Sequence, residues 1–170
     1  MTRPSINGIK LSNGPLTPMW IRPQSGCPEA IAVLCGLLAA IRVNIAFMTC
    51  ADTQAGRAGL CCIDAEDHAR VEATILQHAS LMEAVHFGEQ VGLLSFFPHQ
   101  ASLDTAAVAL RALAACGIAI HGFASSIAAF TIVVDYGRLD QAAAELAGVM
   151  DLPARPAAFR ADFKVVQEDR

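Results

Sequence analysis

Residues 112–134 read ALAACGIAIHGFASSIAAFTIVV, twenty-three positions without Asp, Glu, Lys or Arg. A stretch of this length and hydropathy is long enough to span a membrane. However, Gly117 interrupts it, His121 stands near its centre, and the pair Ser125 and Ser126 falls where a turn would lie. Beyond the glycine, β-branched and aromatic residues alternate, which is typical of strands. The stretch therefore predicts the end of a helix followed by a buried β-hairpin.

The same order of segments occurs once before. A helical run over residues 29–40 leads into VNIAFMTCA, a polar turn and AGLCCID. Val43 and Ile118 are 75 positions apart, whereas Asp64 and Asp135, after the hairpins, are 71 apart. The first hairpin therefore carries four extra residues. Two copies of one supersecondary unit are predicted, each a little over seventy residues long.

Each copy has the order strand, helix, strand, strand, helix, strand. Such a split βαβ pattern folds as a ferredoxin-like unit, an antiparallel sheet with both helices on one face, in the α+β class. We place the first unit at 15–87, completed by an N-terminal strand at 4–12 and a C-terminal strand at 159–167, and the second unit at 88–152. Residues 162–166 alternate without a local partner, so we expect them in the sheet of the first unit.

Composition limits the classes of partner. Hydrophobic residues make up 54% of the chain and charged residues 16%. So much apolar surface calls for two cores and a subunit interface, and we expect a homodimer. The net charge of −4 offers no basic field for nucleic acid. The strand chemistry of the apolar stretch argues against a membrane partner.

The cysteines predict a compartment and no metal site. Six of them fall on predicted helix and strand positions, and none forms a CxxC pair. With five histidines scattered among them, no zinc-ligand spacing emerges. Buried free thiols are typical of a reducing environment, and MTRPSINGIK at the start has no signal-peptide core. We expect a cytoplasmic protein.

Catalytic motifs are missing from the sequence. It contains no GxGxxG, GxxxxGK[ST], HExxH or GxSxG. The segment DAEDHAR at 64–70 places acids in the first turn of a helix, where they complement the macrodipole. Ser125 and Ser126 lie along extended chain from His121, with no acid close in sequence, which favours a polar turn over a nucleophilic site. We expect no enzyme activity and no cofactor.

Three segments carry a family resemblance: EQVGLLSFF at 89–97, HGFASSIAAFTIVVD at 121–135 and VNIAFM at 43–48. By these segments, their order and their spacing, the chain resembles the tandem ACT regulatory region of aspartate kinases over nearly its whole length. The resemblance implies a non-catalytic, allosteric regulatory subunit, since no kinase domain is present. It also implies an amino-acid effector and a partner enzyme of amino-acid biosynthesis.

In that family the effector lies where two ACT units meet. The resemblance implies that a loop before the first helix and an asparagine-bearing strand hold its charged groups, largely through the main chain, with a serine/threonine turn of the second unit opposite. A helix N-terminus suits a carboxylate. By position, the loop is Gln24, Ser25, Gly26, Cys27 and Pro28; the strand residues are Asn44 and Ile45; the turn residues are Ser125 and Ser126.

Several positions depart from the family pattern. Gly26 replaces an acidic residue, Glu29 a glycine, and Cys50 a glutamine. In the second unit, Ala119 replaces the asparagine and His121 an acidic residue. Most anionic groups that would pair with a basic effector are thus absent, which leaves open a small or apolar amino acid, or no ligand. The alternative to an effector-binding module is a dimerisation or docking subunit with no bound effector.

Overall fold

A computed structural model describes residues 3–22, 30–54, 56–98, 102–153 and 159–160. These residues divide into two compact units. Among the described residues, the first unit is formed by Gly14–Gln90, and the second combines those before Gly14 with those at 91–160. Across the described ranges, no helix is long and apolar enough to cross a membrane.

Nine strands and five helices are present in the described residues, and two single turns of 3₁₀ helix precede the second and fifth helices. The strands are β1 (Ile6–Leu11), β2 (Leu16–Ile21), β3 (Ile45–Thr53), β4 (Gly56–Asp64), β5 (Val85–Phe87), β6 (Val91–Pro98), β7 (Ile120–Ser125), β8 (Phe130–Asp135) and β9 (Phe159–Arg160). The helices are α1 (Ala30–Ala40), α2 (His68–Ile75), α3 (Ala79–Met82), α4 (Leu103–Ala115) and α5 (Leu139–Val149).

The first unit is an antiparallel sheet in the order β3-β4-β2-β5. Its core combines one face of that sheet with α1, α2 and α3. Apolar residues on α1 recur at helical spacing, so that Ala30, Leu34, Leu37 and Leu38 are buried against the sheet. The unit therefore has the strand order and one-sided helices expected of a ferredoxin-like fold.

The second unit repeats this plan with strand order β7-β8-β6-β1-β9. All neighbours are antiparallel except β1 and β9, which run parallel. Ser102 caps α4, because its hydroxyl accepts a hydrogen bond from the Asp104 N–H at 3.1 Å. The buried face of α4 carries Ala106, Ala109 and Leu113.

The strand that lies beside β6 in the second unit comes from the start of the chain. In the first unit β5 lies beside β2, whereas in the second unit the corresponding place is taken by β1, with Ile9 opposite Phe96 and Leu11 opposite Leu94. The sequence predicts that residues 4–12 belong to the first unit, whereas the structure places β1 in the second unit. Apolar alternation predicts that a segment is a strand, but the choice of partner depends on which sheet edge is open.

After α5 the chain runs alongside the outer edge of β1. The Ile6 N–H donates to the Asp151 carbonyl at 2.9 Å, and Phe159 of β9 pairs with Lys10. The described part of the predicted C-terminal strand thus lies in the second unit. Residues 162–166, expected in the sheet of the first unit, lie outside the described residues.

The apolar stretch at residues 112–134 forms a helix end and a β-hairpin, as predicted. It contains the last residues of α4, then β7, a turn and β8. The hairpin of the first unit runs from Ile45 to Asp64, and that of the second from Ile120 to Asp135. The first hairpin is therefore longer by the four residues inferred from the repeat.

Candidate functional site

The predicted ligand loop is only bracketed by the structure. Ser25, Gly26, Cys27 and Pro28, together with Gln24 and Glu29, lie outside the described residues. Before them, the Arg22 N–H donates to the Ala84 carbonyl at 2.8 Å, and after them α1 begins at a buried Ala30. The described residues therefore show where β2 ends and where α1 begins, on either side of this segment.

Asn44 and Ile45 follow directly from the way α1 ends. The Arg42 N–H donates to the Ala39 carbonyl at 3.1 Å, and the Val43 N–H donates to the Leu38 carbonyl at 2.9 Å. This pair of bonds is a Schellman motif, which closes the helix and redirects the chain into β3. Asn44 is half-buried, and Ile45, the first residue of β3, is 37% exposed.

Within the first unit, the residues before α1 and Asn44 lie at opposite ends of this helix. They are separated by the eleven residues of α1, which extend about 16 Å at the rise of an α-helix. A ligand held by N–H groups at the start of α1 is therefore out of reach of the Asn44 side chain of the same unit.

Ser125 and Ser126 lie at the tip of the β7–β8 hairpin in the second unit. Both are exposed. The Ser126 N–H donates to the Ala129 carbonyl at 2.8 Å, its hydroxyl lies 3.2 Å from the same carbonyl, and the Ala129 N–H donates to that hydroxyl at 3.1 Å. The polar groups of Ser126 thus close the turn, whereas Ser125 is the last residue of β7, opposite Phe130.

A pair that sequence reasoning missed joins the two strands of this hairpin. His121 Nε2 lies 2.6 Å from Asp135 Oδ1, fourteen residues further along the chain. A regular antiparallel register continued from Ile120 and Val134 would place Val133, and not Asp135, opposite His121, so the sequence pattern alone does not reveal this pair. Ser125 is four residues further along β7, about 13 Å at the rise of a strand, so the three residues do not form a Ser–His–Asp triad.

The same point of the first hairpin lacks the imidazole. Both hairpins have a β-bulge there: the register shifts between Ile45 and Phe47 in β3, and between Ile120 and Gly122 in β7. The residue inside the bulge is Ala46 in the first unit, where the second unit has His121. Asp64 corresponds to Asp135, and burial, followed by the charges of Asp67 and Glu66, raises the pKa of its carboxyl.

Two more of the departing positions are described. Cys50 is exposed on β3, opposite Gly59. Ala119 is exposed between the end of α4 and β7. In the described residues, no group of three or more His, Cys, Asp or Glu side chains is placed to hold a metal ion.

Comparison with known proteins identifies the fold. No protein-family model matches the chain, and no curated protein matches it. Among solved structures, it is similar to the aspartokinase alpha and beta subunits, with a TM-score of 0.73, 15% identity, and coverage of 85% of this chain and 98% of the other. It is also similar to the ligand-free regulatory subunit of aspartate kinase from Thermus thermophilus, with a TM-score of 0.72, 13% identity, and coverage of 86% and 99%.

A larger enzyme contains the same arrangement as one part. Aspartokinase III from E. coli, in complex with lysine and aspartate, matches with a TM-score of 0.60 and 13% identity, over 86% of this chain and 33% of that one. The sequence resemblance is thus matched by a structural likeness along nearly all of the separate regulatory subunits. This chain has the fold of the tandem ACT regulatory region of aspartate kinases.

Proposed function

We propose that this protein is a non-catalytic regulatory module that binds an amino acid and thereby controls a partner enzyme of amino-acid biosynthesis. The observation that carries the proposal is the fold match over 98% and 99% of two separate regulatory chains. The Thermus thermophilus subunit has a ligand-free form, which implies that this subunit also binds a ligand. Aspartokinase III from E. coli forms a complex with lysine and aspartate. We also propose that the protein is cytoplasmic, since the five described cysteines are all free.

The proposed site uses the residues implied by the sequence. Main-chain N–H groups of residues 25–27 hold the carboxylate, with Pro28, which has no N–H, beside them before α1. Asn44 and Ile45 contact the ammonium and the side chain, and Ser125 and Ser126 are the second unit's contribution. The ammonium and carboxylate of an amino acid are bonded to one carbon, so groups about 16 Å apart cannot bind both. We therefore propose a homodimer in which the loop and Asn44 of one site come from different copies.

The effector that suits these residues is small or apolar. Ile45 presents a partly exposed aliphatic surface, and Cys50 further along β3 is uncharged. A basic effector side chain would need a carboxylate partner, which the departures at these positions remove.

Thermal unfolding with a panel of the proteinogenic amino acids tests the proposal. A specific ligand at 100 times its dissociation constant adds about 2.7 kcal/mol, which raises the melting temperature by about 5–10 °C for a chain of this size. If no amino acid shifts the melting temperature, and the protein still dimerises, the alternative of a docking subunit without effector is supported instead. A monomer at micromolar concentration by light scattering would contradict the shared site.

Two variants then locate the site by calorimetry. Gly26→Val should abolish measurable binding, because a side chain blocks the close approach of a ligand to the main chain. Asn44→Ala should weaken binding by about 1–2 kcal/mol, the loss of one hydrogen bond to a charged group. Gly148→Val is the matched control, since a Cβ at this exposed position of α5 meets no atom within 4 Å. Unchanged affinity in Gly26→Val would place the pocket elsewhere.

A further inference from the structure

Sulfur atoms cluster beneath α1 in the first unit. Met19 of β2 lies opposite Cys61 of β4, which in turn lies opposite Met48 of β3. Directly opposed residues share a face of the sheet and have Cβ atoms about 5 Å apart. From the helix side, the Cys35 thiol of α1 contacts the Met48 sulfur at 3.7 Å. Four sulfur-containing side chains are therefore neighbours on three adjacent strands and one helix, and the Cys35 and Met48 sulfurs are in contact.

The cluster is deep on one side and accessible on the other. Met19 and Cys61 are completely buried in the core, whereas Cys35 and Met48 are partly exposed. Burial, followed by the nearby thiols of Cys62 and Cys35, raises the pKa of the Cys61 thiol to about 12.

Packing in this fold does not require sulfur at these places. The repeat aligns the four positions with Leu94, Leu110, Phe123 and Ile132 of the second unit. Leu94 and Ile132 are completely buried there, and Leu110 and Phe123 pack against the same core. In the second unit, hydrocarbon side chains thus occupy these four positions of the core. In the first unit, four sulfur-containing side chains occupy them.

The donor atoms select a class of ion. Thiolates and thioethers are soft ligands that favour Cu(I), whereas carboxylates and carbonyls suit hard cations. A divalent ion bound by one thiolate and thioethers would leave an unbalanced charge in an apolar core, at a cost of several kcal/mol. A monovalent ion with one thiolate forms a neutral site.

We propose that the first unit binds one monovalent copper ion between Cys35 and Met48, with Cys61 and Met19 beneath it. The Cys35 thiol, on the accessible side, loses its proton to water as the Cu(I)–thiolate bond forms, and the oxidation state of copper does not change. Met48 supplies its thioether, and the fully buried Cys61 keeps its proton and packs against the site without bonding to copper, since cysteine binds metal only as the thiolate. The site is separate from the proposed effector residues and does not depend on the proposed function.

An anaerobic titration of the reduced, full-length chain with Cu(I) tests this, in competition with a bathocuproine disulfonate chelator. Native mass spectrometry gives the number of copper ions bound to each chain, and circular dichroism verifies that each variant is folded. The variants replace sulfur-containing side chains with hydrocarbon ones: Met48→Leu, and Cys35→Leu combined with Met48→Leu. Cys116→Ser, a thiol of the second unit, is the control.

One copper ion per wild-type chain is expected, with Zn(II) failing to compete. Met48→Leu should lower the affinity about tenfold or more, since even outer partners of a metal ligand change affinity by this amount. The double variant should release copper to the chelator, and Cys116→Ser should bind like wild type. The proposal is overturned if the chelator keeps all the copper from the wild-type chain, if the folded double variant binds as tightly as wild type, or if only Cys116→Ser loses binding.

Discussion

The two units of this chain have the same fold but different side chains at equivalent positions. α1 and α4 both end in a Schellman motif, with N–H groups of Val43 and Ile118 donating to the Leu38 and Leu113 carbonyls at 2.9 and 3.0 Å. These four residues are buried, which is the hydrophobic contact that accompanies the motif. The main-chain path is therefore the same in both units, although the residues that follow it differ.

The residue in the left-handed conformation shows such a difference. It is Gly117 in the second unit, with φ of 64°, and Arg42 in the first, with φ of 55°. A left-handed conformation costs a residue with a Cβ roughly 1–2 kcal/mol, and glycine adopts it without that cost. The first unit accepts this strain, so its hydrogen bonds and buried contacts must outweigh it.

The contact between strand and helix differs more strongly. On β6 of the second unit, Gly92 lets the Leu139 side chain of α5 reach the sheet, and a Cβ at Gly92 would lie 2.7 Å from Leu139 Cδ2. At the corresponding positions, the first unit has a buried Thr17 and His68, whose ring meets Phe87 edge-on at 4.7 Å. The first unit thus has a threonine on the strand and a histidine on the helix. The second unit has no side chain on the strand and an aliphatic leucine on the helix.

The largest effect on stability is expected when the strand residue of the first unit is introduced into the second unit. Gly92→Thr should destabilise the protein by about 1–3 kcal/mol, because overpacking a filled core displaces side chains. Adding Leu139→His restores the first unit's pair and should recover part of the loss. Urea unfolding of both variants and of Leu139→His alone gives the coupling energy. If the two substitutions are additive, the contact between Gly92 and Leu139 does not limit packing.

A smaller effect is expected at the helix ends. Gly117→Ala should cost about 1 kcal/mol, because the new Cβ meets no atom within 4 Å and only the backbone conformation is penalised. Arg42→Gly should act in the opposite direction and gain less than about 1 kcal/mol, since glycine also adds freedom to the unfolded chain. Thermal unfolding of the two variants measures both signs. Equal signs would show that the two helix ends are not equivalent.

The smallest effect is expected at the acids that end the hairpins. Asp135→Asn should destabilise by less than about 1 kcal/mol, the usual range for a partly exposed ion pair, because it weakens the bond to His121. Asp64→Asn should stabilise the protein slightly at neutral pH. The folded chain raises the pKa of Asp64 and thus holds its proton more tightly than the unfolded chain, so the charged carboxylate opposes folding.

The pH dependence separates these two variants. As the pH rises through the raised pKa of Asp64, the wild-type protein should lose stability relative to Asp64→Asn, and the difference should vanish when the carboxyl is protonated. Unfolding free energies of wild type and Asp64→Asn, measured from pH 4 to pH 7, provide this comparison. A stabilising effect that is constant over this range would show that charge is not its cause.

Much of the fold is determined by the sequence alone. The 75- and 71-residue offsets predicted the repeat, the hairpins, their difference in length, and the succession strand, helix, strand, strand, helix in each copy, because these depend on spacing and on near neighbours. The site residues could be assigned only by resemblance, because a ligand held by main-chain groups leaves little mark on side-chain identity.

Only the tertiary structure decided which distant segments meet. It placed β1 beside β6, joined His121 to Asp135 across a bulge, and brought Cys35, Met48 and Cys61 together. None of these contacts has a local signature, since sheet partners are chosen by competition between open edges, and a bulge shifts every pairing beyond it. Periodicity determines what each segment becomes, whereas long-range register determines which side chains meet.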